Sequence, residues 1–137
     1  MEDLNTKSKI YLSWGDIEYL IDVLVSWVKE EQPQIDSVMG LPRGGLIPAV
    51  MLSHKLDIPL VFEPTIKTLI VDDICDSGKT FRDMLEDYPL NAFAALHYKP
   101  HTSRIIPTCY GNEFYSDAWL VYPWENTNAK AIQDYLK

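Results

Sequence analysis

Carboxylates and small hydrogen-bonding residues crowd one stretch of this chain: Asp72, Asp73 and Asp76, followed at once by Ser77, Gly78, Lys79 and Thr80. The acids suit hydroxyl groups or a metal ion. The turn behind them suits an anion, because a glycine lets the backbone approach a ligand and the first amides of a helix have no partner inside it. A sugar phosphate carries both kinds of group. Leu69, Ile70 and Val71 lead into the acids without polar alternation, the pattern of a strand covered on both faces. The reading is a buried strand that stops at Asp72 and Asp73, at the carboxyl end where open parallel sheets keep their ligands.

Three plainer readings compete. Gly78-Lys79-Thr80 looks like the tail of a nucleotide P-loop, but Asp73 stands where that motif needs its first glycine. An acidic pocket of the receiver-domain kind lies near the start of its domain, whereas about half of this chain precedes the pair. An ordinary strand, turn and helix with Asp76 as N-cap leaves the two earlier aspartates unexplained.

Other elements must position this stretch. A second strand, over residues 35–41, runs into Pro42-Arg43-Gly44-Gly45 and then a helix through Leu46, Ala49, Val50, Leu52 and Ser53. A guanidinium beside glycine amides makes another anion site, and a parallel sheet brings such loops to one edge. Before it, Tyr11 and Leu12 read as a short edge or lead-in segment, and Ser13 with Asp16 as a capping box. Ile17, Leu20, Ile21, Leu24, Val25 and Val28 then recur at helical spacing until Gln32-Pro33, with Trp14 and Trp27 as core or interface residues. Residues 58–62 read as a further strand. Phe81, Met84 and Leu85 give a short amphipathic helix, and residues 92–98 a buried strand ending at Lys99-Pro100. A turn is expected at Gly111-Asn112, ahead of an aromatic-rich run over 117–125. His54, His97 and His101 match no ligand spacing and are expected to be structural or exposed.

At 137 residues the chain is expected to be one α/β domain. Hydrophobic residues at 47% and charged residues at 23% are ordinary for a globular protein. A net charge of -8 argues against nucleic acid or an anionic membrane as partner, since both require basic surface. Cys75 and Cys109 do not suggest a disulfide framework, because Cys75 lies within the binding stretch; a reduced, cytoplasmic setting fits. Residues 1–9 have no secretory apolar core, and no run reaches membrane-spanning length.

The stretch 69–80 is similar to the signature of type I phosphoribosyltransferases: a hydrophobic strand, Asp-Asp, two residues, Asp, Thr or Ser, Gly, one residue, Thr. From about residue 11 to 125 the chain resembles the bacterial xanthine-guanine (6-oxopurine) group of that family: Ser-Trp, Arg-Gly-Gly-Leu, the acidic stretch, Lys-Pro after a strand, and Trp followed by Pro-Trp-Glu. The resemblance implies a mostly parallel twisted sheet of four or five strands with helices on both faces. A core over about 11–100 would carry a small C-terminal base-binding cap over about 101–137. It implies transfer from 5-phosphoribosyl 1-pyrophosphate (PRPP) to guanine, xanthine or hypoxanthine. Asp72, Asp73, Asp76, Ser77, Gly78, Lys79 and Thr80 would bind PRPP, with Asp76 also taking the proton at N7 of the base. Arg43, Gly44 and Gly45 would hold pyrophosphate on a loop with a cis Pro42–Arg43 bond. Lys99, Trp119 and Leu120 would bind the base, and Asp73 and Asp72 would meet Mg²⁺.

The family's long hood over PRPP has no counterpart here, since only Glu63-Pro64-Thr65-Ile66-Lys67 precedes the acidic strand. The N-terminal segment, the C-terminal tail or a neighbouring subunit of a homodimer or tetramer would have to cover the mouth. Two alternatives stand beside this reading: a PRPP- or nucleotide-binding regulatory protein with little turnover, and a phosphoribosyltransferase for another acceptor.

Overall fold

The computed structural model describes residues 8–126. Strand β1 (Lys9–Tyr11) and helix α1 (Trp14–Glu31) come first, then β2 (Ser37–Gly40), α2 (Leu46–Leu56), β3 (Thr68–Cys75), α3 (Lys79–Asp87), β4 (Ala92–Tyr98), β5 (Cys109–Glu113) and β6 (Trp119–Val121). The main sheet has the order β2-β3-β4-β5, every neighbour parallel. Side chains that alternate along each strand separate two cores. Val38, Leu69, Val71, Ala94 and Leu96 meet α1 and α2 on one face. Met39, Ile70, Phe93 and Ala95 meet Phe81 of α3 on the other. Helices therefore cover both faces, as expected for uninterrupted apolar strands.

Helix α1 begins at the expected capping box: the Asp16 amide donates to Ser13 Oγ at 3.0 Å and the Ser13 amide to Asp16 Oδ2 at 2.8 Å. Its buried stripe is Ile17, Leu20, Ile21, Leu24 and Val28. Trp27 packs at the edge of the core, while Trp14 is 52% exposed, with its ring 5.9 Å from that of Trp124. Both cysteines are buried free thiols. No helix among the described residues is long and apolar enough to cross a membrane.

Three local expectations are corrected. Strand β3 does not stop at the acidic pair but runs through it, because β4 continues alongside and pairs Asp72 with Ala95 and Ile74 with His97. Residues 58–62 make only an isolated bridge, Leu60 with Val38, and Pro59 has no N–H with which to extend a ladder. Gly111 and Asn112 form no turn; they lie within β5, where Asn112 pairs with His97. Gly111 is there because a Cβ would sit 2.8 Å from the Leu96 carbonyl and 2.9 Å from a Leu20 methyl, so only glycine lets α1 close on the sheet. Of the two readings of the N-terminal segment the edge strand holds, shifted to Lys9–Tyr11: β1 lies parallel to β6 with Ile10 opposite Leu120. The aromatic run is thus built on the start of the chain, and the main sheet takes in β5, beyond residue 100.

The short link before β3 is pinned at the far end of the sheet. Asn91 donates to the carbonyls of Thr65 at 2.7 Å and Thr68 at 2.9 Å, and Ser37 Oγ lies 2.7 Å from Thr68 Oγ1.

Gly111→Ala is expected to destabilise the fold by about 1–3 kcal/mol through overpacking between α1 and β4. Denaturant unfolding measures this, and a variant as stable as the parent would show that the two surfaces have room to part.

Candidate active site

The turn after β2 is compact. The Gly45 amide donates to the Leu41 carbonyl at 2.9 Å and the Leu46 amide to the Arg43 carbonyl at 3.2 Å. The Pro42–Arg43 bond is cis, as expected. The turn rests directly on Asp73: a Cβ on Gly44 would lie 2.1 Å from Asp73 Oδ2. The Asp73 carboxylate also accepts the Ile74 amide at 2.8 Å, while the Asp73 amide donates to Asp72 Oδ1 at 2.9 Å. Burial, opposed by hydrogen bonding from the Asp72 side chain and the Ile74 amide and reinforced by the Glu125 charge, holds the Asp73 carboxyl above its usual range.

Helix α3 starts at Gly78, whose φ is +83°. Its first i→i−4 bond is from Arg82 to the Gly78 carbonyl, so the amides of Lys79, Thr80 and Phe81 lie ahead of the ladder. The Lys79 amide lies 3.2 Å from Ser77 Oγ, and its ammonium reaches back to Asp83 at 2.8 Å. The segment after β4 underlies this turn. Arg104 donates its amide to the Ser77 carbonyl at 3.0 Å, and Thr102 Oγ1 lies 2.9 Å from the Asp76 carbonyl and 2.8 Å from Asp76 Oδ1. Lys99 completes the anchorage: its amide donates to the Cys75 carbonyl at 3.0 Å and its ammonium lies 3.7 Å from Asp76 Oδ2. A lysine at a strand end is ordinarily exposed, yet Lys99 is only 7% exposed and lies 5.8 Å from the Phe114 ring centre. A cation so placed needs partners, and Asp76 and the aromatic face provide them.

The opposite wall is β6. Its ladder to β1 uses the Trp119 amide, bonded to the Ser8 carbonyl at 2.7 Å, and the Val121 carbonyl, which accepts from Leu12 at 2.9 Å. Alternation in a parallel pair directs the N–H and C=O of Leu120 away from β1. Leu120 and Trp119 both line a cleft of about 890 Å³.

Arg43, Gly44, Asp72, Asp73, Asp76, Ser77, Gly78, Lys79, Thr80 and Lys99 line that same cleft, so the sequence-predicted residues are brought together with one exception. Gly45 is buried behind the turn, with its amide already bonded to Leu41. Tyr122, Trp124 and Glu125 are additional lining residues. Thr102 gave no signal in the sequence, because only the fold brings it to Asp76. Of the histidines, His101 lies 3.3 Å from Asp117 at the surface, whereas His97 is buried with Nδ1 2.9 Å from Tyr122 Oη. Burial pushes the His97 imidazole down to about 4, so it is neutral at pH 7. Residues 127–137 of the expected cap and the first residues of the N-terminal segment lie outside the described residues.

Comparison with known proteins places this geometry. No family model matches the chain. It is 32% identical over 115 residues to the xanthine-guanine phosphoribosyltransferase of Cereibacter sphaeroides, covering 65% of this chain and 68% of that protein. It is 29% identical over 125 residues to the enzyme of the same name from Nitratidesulfovibrio vulgaris, covering 74% and 76%. Among solved structures, the purine phosphoribosyltransferase of Pyrococcus horikoshii superposes with a TM-score of 0.72 at 31% identity, over 90% of this chain and 99% of that one.

Two outcomes are expected from the site's geometry. Gly44→Ala displaces the Asp73 carboxylate, so PRPP affinity should drop about tenfold or more, by the cost of misplacing a positioned group. Calorimetric titration decides, and an unchanged affinity would separate the turn from the carboxylate. The His97 effect concerns stability. The folded imidazole titrates at about 4 against 6.5 when unperturbed, so between those pH values the unfolded chain binds a proton that the native state refuses. Stability should therefore fall as pH drops from 6.5 to 4, by about 3 kcal/mol more than in His97→Asn. Equal pH dependence in the two proteins would refute it.

Proposed function

This chain belongs to the type I phosphoribosyltransferases, of the bacterial xanthine-guanine type, and we propose that its cleft transfers the 5-phosphoribosyl group of PRPP to a 6-oxopurine in purine salvage. One observation carries the reading down to individual residues. The buried Lys99 ammonium stands 3.7 Å from Asp76, on the turn that opens α3, in a cleft shared with Trp119 and Arg43. A flat base bearing an oxo group, a ribose and two anionic ends requires such partners side by side.

In this reading the amides of Ser77, Gly78, Lys79 and Thr80 hold the 5-phosphate. Asp72 and Asp73 orient the ribose hydroxyls. Arg43 and the turn through Gly44 hold the diphosphate, with Gly45 supporting the turn from behind. The purine lies against Trp119, its oxo group accepts from Lys99, and the Leu120 carbonyl reads the 2-substituent. Base nitrogen N9 attacks C1 of the ribose as the C1–O bond to pyrophosphate breaks; the bonding pair leaves with pyrophosphate, and Asp76 takes the proton from N7. Thr102, 2.8 Å from Asp76 Oδ1, keeps that carboxylate aimed. Charge builds up on a ribose of oxocarbenium character and on the departing diphosphate, where fixed charges and dipoles act most strongly.

Mg²⁺ fits the donor set. The cleft offers hard carboxylate oxygens, and burial with the Glu125 charge presses Asp73 toward protonation, a pressure that a cation relieves. Among the described residues no three metal-ligating side chains gather on one point, so Asp73 and Asp72 would hold the ion together with water and substrate oxygens. Bound there, it would neutralise charge on the diphosphate. The net charge of -8 fits small anionic substrates delivered to local donors rather than nucleic acid. A cytoplasmic homodimer or tetramer, in which a neighbouring subunit covers the mouth, completes the proposal.

Incubation with PRPP, Mg²⁺ and guanine, xanthine or hypoxanthine in turn should release pyrophosphate and the matching nucleoside 5-monophosphate. Loss of one stacked aromatic is worth about 1–3 kcal/mol, so Trp119→Ala should raise the KM for the base roughly tenfold or more while that for PRPP stays close to the parent's. PRPP binding without pyrophosphate release would identify a sensor instead, and a Trp119→Ala enzyme of full activity would point to another acceptor.

A further inference from the structure

The reaction makes no use of two buried polar side chains, His97 and Tyr122, each 3% exposed. Tyr122 Oη lies 3.2 Å from the Asp73 backbone carbonyl and 2.9 Å from His97 Nδ1. A hydroxyl has one proton, and a carbonyl only accepts, so Tyr122 donates to Asp73. His97 must then donate from Nδ1 to the tyrosine oxygen, which fixes the imidazole as the Nδ1–H tautomer. The bonds run in one direction, from imidazole to phenol to peptide carbonyl.

The contact falls where β3 has outrun β2: the Val71 carbonyl still accepts the Leu41 amide at 2.9 Å from the β2 side, β2 ends at Gly40, and the Cys75 carbonyl accepts the Lys99 amide at 3.0 Å from the β4 side. Tyr122 reaches β3 between these two points. Tyr122 belongs to the other half of the site. It directly follows β6, its ring stacks on Trp124 with centroids 4.9 Å apart and planes at 9°, and its amide donates to Glu125 Oε1 at 2.8 Å.

We propose that Tyr122, oriented by His97, is a positioning residue that ties the base-binding strand to the ribose-facing carboxylates, so that ordering at Trp119–Leu120 and at Asp72–Asp73 is transmitted through one phenol. The inference rests on the phosphoribosyltransferase reading and deepens it. Tyr122 lines the cleft, but its hydroxyl is engaged by Asp73 and His97. Asn in place of His97 offers an amide donor where Nδ1 was, whereas Leu offers none. Tyr122→Phe keeps the ring on Trp124 and removes only the link.

Steady-state kinetics of the parent, Tyr122→Phe, His97→Asn and His97→Leu, normalised to folded fraction, test the proposal. A misplaced carboxylate should lower kcat about tenfold to a hundredfold in Tyr122→Phe and His97→Leu, with the KM for the base within about threefold because the stacking wall is intact. His97→Asn should restore most of the loss. If Tyr122→Phe turns over as fast as the parent, or if His97→Asn fails as badly as His97→Leu, the link does no positioning and the proposal falls. A parent that binds PRPP but does not turn over overturns the transferase reading alone, and the link is then read in calorimetry as about tenfold weaker PRPP binding by Tyr122→Phe. A parent that does neither overturns both.

Discussion

The site depends on one mismatch in the sheet: β3 spans Thr68–Cys75 while its neighbour β2 ends at Gly40. The overhang takes the acidic pair beyond the last rung on the β2 side, with β4 still alongside. The Asp73 amide turns to the Asp72 carboxylate, its carbonyl to Tyr122, and its side chain supports the Gly44 turn. A strand that ended with its neighbour would present its acids on a flat edge. Here the overhang forms the cleft floor, and the cis turn, the α3 amides and the β6 wall surround it.

Much of this was legible because the chemistry is local. A hydrophobic run, an acidic pair and a Gly-containing turn lie within a dozen positions, and their roles follow from strand and helix ends whatever the rest of the chain does. Arg43-Gly44 needed only the assumption of a parallel sheet. The α1 stripe and its capping box were equally direct, since both are set by spacing over a few turns.

The misreadings share a cause: pairings between distant residues leave no local signature. Gly111-Asn112 has the composition of a turn, but the glycine serves the approach of α1 to the sheet. Residues 58–62 carry strand composition yet find only one bridge, because β2 offers a single rung there before Pro59 interrupts. The β1–β6 pairing, the Thr102 contact to Asp76 and the His97–Tyr122 bond all join segments far apart in sequence. Lys99 shows the same limit. Its residue type suggests solvent, and only Asp76 and Phe114, brought together by the fold, explain its burial.

The parallel β1–β6 pair gives synthesis a direction. Lys9–Tyr11 is made more than a hundred residues before Trp119–Val121, so theirs is among the pairings of greatest loop-closure cost between the described strands. The strands that carry the anion-holding turns, β2 and β3, both precede Trp119 in the chain, whereas the wall for the base needs residues from both of its ends. The wall against which the heterocycle would lie is thus completed only when two strands separated by most of the described chain are joined.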